Sequence, residues 1–144
     1  MTLVGHTRSG FTLIELAIAM MILLILGAVA IPRFMAYLEK AKVSATKTNL
    51  QALKSAIDGF KIDTGKYPPK LRDLIEKPKD ETLARRWQKG GYLEGTDEIP
   101  KDGWDEDFVY KITPQGKNPY DLYSYGPDGA GSPKDEWISV WDKR

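Results

Sequence analysis

The chain has 144 residues, with 21 Lys plus Arg against 20 Asp plus Glu and a formal net charge of +1. That balance excludes a broad electrostatic nucleic-acid binder, which needs a clear basic excess. With no cysteine there is no disulfide framework, thiolate nucleophile or zinc–thiolate centre, and one histidine, His6, leaves almost no imidazole chemistry.

Residues 1–10 are short, polar and basic, with Arg8 near the end. Residues 11–31 read FTLIELAIAMMILLILGAVAI and hold one charge, Glu15. As a helix this stretch is roughly 32 Å long at about 1.5 Å per residue, the hydrocarbon thickness of a bilayer. It is apolar on every side, unlike a surface helix. The mean hydropathy of −0.40 for the whole chain conceals this segment. Past Pro32, charges return with Arg33, Glu39, Lys40, Lys42 and Lys47. Leu50, Leu53, Ile57 and Phe60 are spaced as one helical face. One helix is therefore predicted over residues 11–63, membrane-spanning and then amphipathic, bent at Pro32 and stopped at Thr64-Gly65.

From Lys66 onward the composition changes, with eight of the nine prolines and all four tryptophans, which marks a separate small head. A short helix is predicted around Leu71, Leu74 and Ile75, and a second over residues 80–89, closed by Gly90-Gly91. Strands are predicted over residues 108–112, 120–125 and 137–141, with Lys101-Asp102-Gly103 and Pro127-Asp128-Gly129 as turn punctuation. Leu83 and Trp87 are expected to pack inward and leave Arg85 and Arg86 exposed. The acidic residues Asp97, Glu98, Asp102, Asp105, Glu106 and Asp107 have no histidine or nucleophile beside them and are read as a solvated, partner-facing surface. Residues 126–131 are glycine-rich, but without a βα context or a Lys-Ser/Thr they are no phosphate cradle. The fold class expected is α+β, a long helix packed on a head of short helices and an antiparallel sheet.

The run Arg8-Ser9-Gly10-Phe11-Thr12-Leu13-Ile14-Glu15 resembles the class III signal of type IV pilins and pseudopilins. The resemblance implies cleavage by a prepilin peptidase after Gly10 and N-methylation of Phe11. It also implies an assembly role for Glu15, whose carboxylate would pair with the freed amine of a neighbouring subunit, and a helix kink at Pro32. His6 then belongs to the removed leader. The positive-inside rule alone, with Arg33, Lys40, Lys42 and Lys47 following the span, would keep the head in the cytoplasm. The peptidase-type junction implies the opposite, a head in the periplasm and a single pass through the bacterial inner membrane.

Lys66-Tyr67-Pro68-Pro69, Ile99-Pro100-Lys101-Asp102-Gly103-Trp104 and the run from Pro119 to Gly129 recur in the order found in the major pseudopilin of type II secretion, the general secretion pathway protein G family. This resemblance implies a non-enzymatic filament subunit. It would polymerise with itself and minor pseudopilins on an inner-membrane assembly platform, in contact with membrane lipid. Growth of that filament would drive folded proteins through an outer-membrane secretin. It further implies a structural calcium ion held by the backbone carbonyl of Tyr125 and the side chains of Asp128, Asp135 and Glu136. The segments are then a leader at 1–10, a transmembrane part at 11–31, an amphipathic part at 32–65 and a head at 66–144. Two rivals are a type IV pilin for adhesion, motility or DNA uptake, and a membrane-anchored periplasmic binding or catalytic domain.

Overall fold

The computed structural model describes residues 10–142, so the expected leader, His6 included, lies almost wholly outside the described residues. The chain divides into two compact units, Met1–Glu39 and Lys40–Arg144. Helix α1 spans Leu13–Thr64. In the first unit its large apolar side chains are all exposed in the single chain, and it is long and apolar enough to cross a membrane. Pro32 lies inside this helix and the helix continues through it, although proline removes the N–H that would bond the Ala28 carbonyl. The C-terminus of α1 is an αL cap. Gly65 adopts φ +81 and its N–H donates to the Lys61 carbonyl at 2.8 Å.

In the second unit, the predicted face of α1 is the core. Leu50, Leu53, Ile57 and Phe60 are at most 1% exposed and pack with Leu74, Leu83, Tyr120 and Leu122. Each such side chain contributes about 1.5–3 kcal/mol through removal from water. A short 3-10 helix, Leu71–Leu74, supplies Leu74. Helix α2 is only Glu81–Ala84, not the 80–89 span expected. Asp80 caps it, taking the Thr82 N–H at 2.8 Å. It stops early because Trp87 turns inward and donates its indole N–H to the Asp73 carbonyl at 2.8 Å. The backbone then closes on the 3-10 helix, Tyr92 N–H donating to the Leu74 carbonyl at 2.7 Å. Leu83 is buried and both arginines are exposed, as expected.

The sheet is antiparallel in the order β1 (Val109–Ile112), β2 (Tyr120–Ser124), β3 (Ile138–Ser139). Val109 opposes Tyr123, and Ser124 opposes Ile138. In β2 the alternating residues Tyr120, Leu122 and Ser124 point inward. All three strands are shorter than predicted, and β3 most of all. Asp142 takes the Ser139 N–H on its side chain at 2.7 Å and returns its own N–H to the Ser139 carbonyl, which turns the chain away after two paired residues. The end of the chain is still tied to β2, through Val140 N–H to the Leu122 carbonyl and the Trp141 indole to the Tyr120 carbonyl.

Candidate functional site

The predicted site residues fall in two regions, one in each compact unit. In the first, Thr12 and Glu15 form a capping box at the start of α1. The Thr12 N–H donates to Glu15 Oε2 at 2.9 Å, the Thr12 hydroxyl reaches the same oxygen at 3.1 Å, and the Glu15 N–H donates to Thr12 Oγ1 at 3.2 Å. The Thr-x-x-Glu spacing is the sequence signal for this cap, a local role for Glu15 beside the assembly role that the resemblance implies. The cap explains why the helix begins at Leu13 rather than Phe11. Gly10 and Phe11 are exposed. A side chain placed on Gly10 would meet nothing within 4 Å.

The second region is the closing loop between β2 and β3. Its neck is well tied. Ser132 Oγ donates to the Tyr125 carbonyl at 2.7 Å, and the Trp137 indole donates to the Ser132 carbonyl at 3.0 Å. Tyr123 and Trp137 stack at 4.5 Å with their planes 2° apart, and Tyr125 packs edge-on against both. Gly126 adopts φ +81 against the Glu136 carbonyl, and a Cβ there would sit 2.9 Å from that oxygen. So Tyr125–Gly126 and the backbone of Glu136 are adjacent. The carboxylates of Asp128, Asp135 and Glu136 are exposed on the rim. Among the described residues no three Asp, Glu, His or Cys side chains gather as a metal-holding group. The donors offered are oxygens only, the hard set that suits calcium.

One residue departs from its expected role. Asp97, Glu98, Asp105, Glu106 and Asp107 are exposed, but Asp102 is 8% exposed and is not part of a solvated surface. Its Oδ1 takes the N–H groups of Trp104 and Glu106, both at 2.9 Å, and its Oδ2 takes the Ser124 hydroxyl at 2.5 Å. A buried carboxylate needs such donors. The Asp-Gly turn was visible in the sequence, but its burial depends on the distant Thr46. The Gly103 N–H donates to Thr46 Oγ1 at 2.9 Å, and Thr46 donates to the Lys42 carbonyl.

Comparison with known proteins assigns both units. The family model described as type II secretion system (T2SS), protein G, matches residues 33–141, and the prokaryotic N-terminal methylation motif matches residues 5–31. The chain belongs to the type II secretion protein G family. It is 39% identical over 140 residues to the type II secretion system core protein G of Pseudomonas aeruginosa, covering 94% of this chain and 96% of that one. It is 34% identical to the core protein G of Escherichia coli K12, over 93% and 91% of the two chains. The crystal structure of the major pseudopilin from the type 2 secretion system of enterohaemorrhagic Escherichia coli superposes with a TM-score of 0.61 at 29% identity, covering 74% of this chain and 88% of that one. As a protein G pseudopilin, the chain is a structural subunit of the pseudopilus, anchored in a membrane through α1. The rival pilin and binding-domain readings are not favoured.

Proposed function

We propose that this pseudopilin is made as a precursor and cut after Gly10 by a prepilin peptidase at the cytoplasmic face of the inner membrane. Phe11 is then methylated, and the subunit polymerises from an assembly platform with its head in the periplasm. The filament consists of copies of this chain with minor pseudopilins. Its growth drives folded proteins through an outer-membrane secretin, and its role is structural rather than catalytic. Head-to-tail contacts suit it, since heterologous interfaces extend openly. The observation that carries this reading is the N-terminal methylation motif matched over residues 5–31, in which Gly10 stands immediately before Phe11 and the capped start of an apolar helix. Intact-mass and N-terminal analysis of the membrane-extracted protein should give a chain beginning at methylated Phe11. Gly10→Ala should block cleavage, and a wild-type chain still beginning at Met1 would refute the proposal.

We propose further that the closing loop holds calcium through the Tyr125 carbonyl and the carboxylates of Asp128, Asp135 and Glu136. When bound, the ion neutralises neighbouring carboxylates and cross-links a loop that no disulfide can hold. The oxygen-only donor set and the firmly tied Tyr125 carbonyl support this reading. Calcium at about 100 times its Kd should stabilise the head by about 2.7 kcal/mol, read as a higher Tm than in EGTA. Asp128→Ala should abolish the difference, and equal wild-type melting in calcium and EGTA would remove the cation from the reading.

A further inference from the structure

The peptide unit joining Tyr125 to Gly126 is gripped at both ends by serine hydroxyls. Its carbonyl accepts from Ser132 Oγ at 2.7 Å, and its N–H donates to Ser124 Oγ at 3.0 Å. A planar trans peptide points these two groups in opposite directions, so fixing the N–H also aims the carbonyl. Ser124 is fully buried. Its hydroxyl orientation is dictated by Asp102, because a carboxylate is an acceptor only and the hydroxyl must donate to it. The Ser124 lone pairs are thereby left for the Gly126 N–H. Asp102 is in turn held on α1 through Gly103, Thr46 and the Lys42 carbonyl, and beside it Asn49 Nδ2 donates to the Lys101 carbonyl at 2.8 Å. A line of hydrogen bonds, joined through the Asp102–Gly103 backbone, therefore runs from α1 to the neck of the closing loop, part-buried at Thr46 and Gly103 and buried where Ser124 meets Asp102 and Gly126.

We propose that Asp102, acting through Ser124, is a positioning residue that aims the Tyr125 carbonyl and so sets the cation affinity of the closing loop without touching the cation. The second half of this statement rests on the calcium reading above, whereas the first concerns the loop alone. Asp102→Asn leaves one acceptor oxygen, so an amide N–H must face either the Ser124 hydroxyl or the N–H groups of Trp104 and Glu106, and Ser124→Ala would remove the link while leaving Asp102 its two backbone donors.

The test uses the full-length, membrane-extracted protein as wild type, Asp102→Asn, Ser124→Ala and the double variant. Hydrogen exchange of the loop amides is measured without metal. Each single variant should speed exchange across residues 126–137 by about tenfold, while exchange from the Leu50–Phe60 face of α1 stays as in wild type. The double variant should be no faster than either single, since both changes break one line of bonds. Titration with calcium, and with terbium as a luminescent substitute excited through Tyr125 and Trp137, should show about tenfold weaker binding in each variant. Wild-type exchange in Ser124→Ala, or additive effects in the double variant, would overturn the positioning role. Altered exchange with unchanged calcium affinity would overturn its link to the cation. A wild-type protein that binds no calcium would overturn the calcium reading, and the exchange cycle would still decide whether Asp102 positions the loop.

Discussion

Tyr110 and Tyr120 pack with ring centroids 5.6 Å apart, yet their hydroxyls meet different fates. Tyr110 donates to the Pro68 carbonyl at 2.9 Å. The Tyr120 hydroxyl is buried and pairs with no group among the described residues. Tyr110→Phe should therefore cost about 1 kcal/mol, whereas Tyr120→Phe should be neutral or stabilising by up to about 1 kcal/mol. Denaturant melts of the two variants would separate them, and equal losses would contradict the assignment. Burial raises the pKa of both phenols, assisted by Tyr67 and Asp73 at Tyr110 and by Asp58 at Tyr120. The folded chain thus keeps protons that the unfolded chain loses above about pH 10. Stability contributed by the protonated phenols is full below that pH and falls as pH rises. Melting across the alkaline range should show this decline, and it should be shallower in both Phe variants.

At the scale of elements, the head is fastened to α1 at a close backbone approach. A side chain on Gly103 would collide with the Lys42 carbonyl, and Thr46 holds the adjacent N–H. Gly103→Ala must push the 101–107 loop off the helix and should destabilise the head by about 1–3 kcal/mol, the range for overpacking. Chemical denaturation measures it, and wild-type stability would show that the loop yields freely. The same contact explains why Asp102 is buried while its acidic neighbours are not. The loop that carries them is drawn onto α1 at Gly103, where the lack of a side chain lets the backbones meet.

At the scale of the whole molecule, the cap that Glu15 makes on its own helix has to be separated from the pairing with another subunit that the resemblance to pilins implies. Thr12→Ala removes the side-chain half of the cap and keeps the carboxylate, and caps of this kind are worth about 0.5–2 kcal/mol. Glu15→Ala removes the carboxylate altogether. An unpaired partner charge in low dielectric costs about 3–5 kcal/mol, so the second loss is larger if subunits pair there. Crosslinking in membranes should find filaments from Thr12→Ala and few or none from Glu15→Ala. Equal assembly of the two would leave Glu15 as a cap only.

The sequence by itself determined the parts of this protein that depend on local chemistry. The apolar span, the Leu50–Leu53–Ile57–Phe60 face, the Gly65 stop and the Gly10-Phe11 junction with its carboxylate in register all rest on composition or short-range spacing, which neighbouring residues decide. The Thr12–Glu15 cap was equally legible in Thr-x-x-Glu. Tertiary structure decided what depended on partners far along the chain. Helix α2 is cut short because the Trp87 indole finds the Asp73 carbonyl. Strand β3 ends where Asp142 folds back on Ser139. Asp102 is buried because Gly103 allows contact with a helix some 60 residues earlier, where Thr46 and Lys42 receive it. A carboxylate in an Asp-Gly turn is solvated unless buried donors are brought to it. Only the folded chain brings Ser124 and α1 to Asp102.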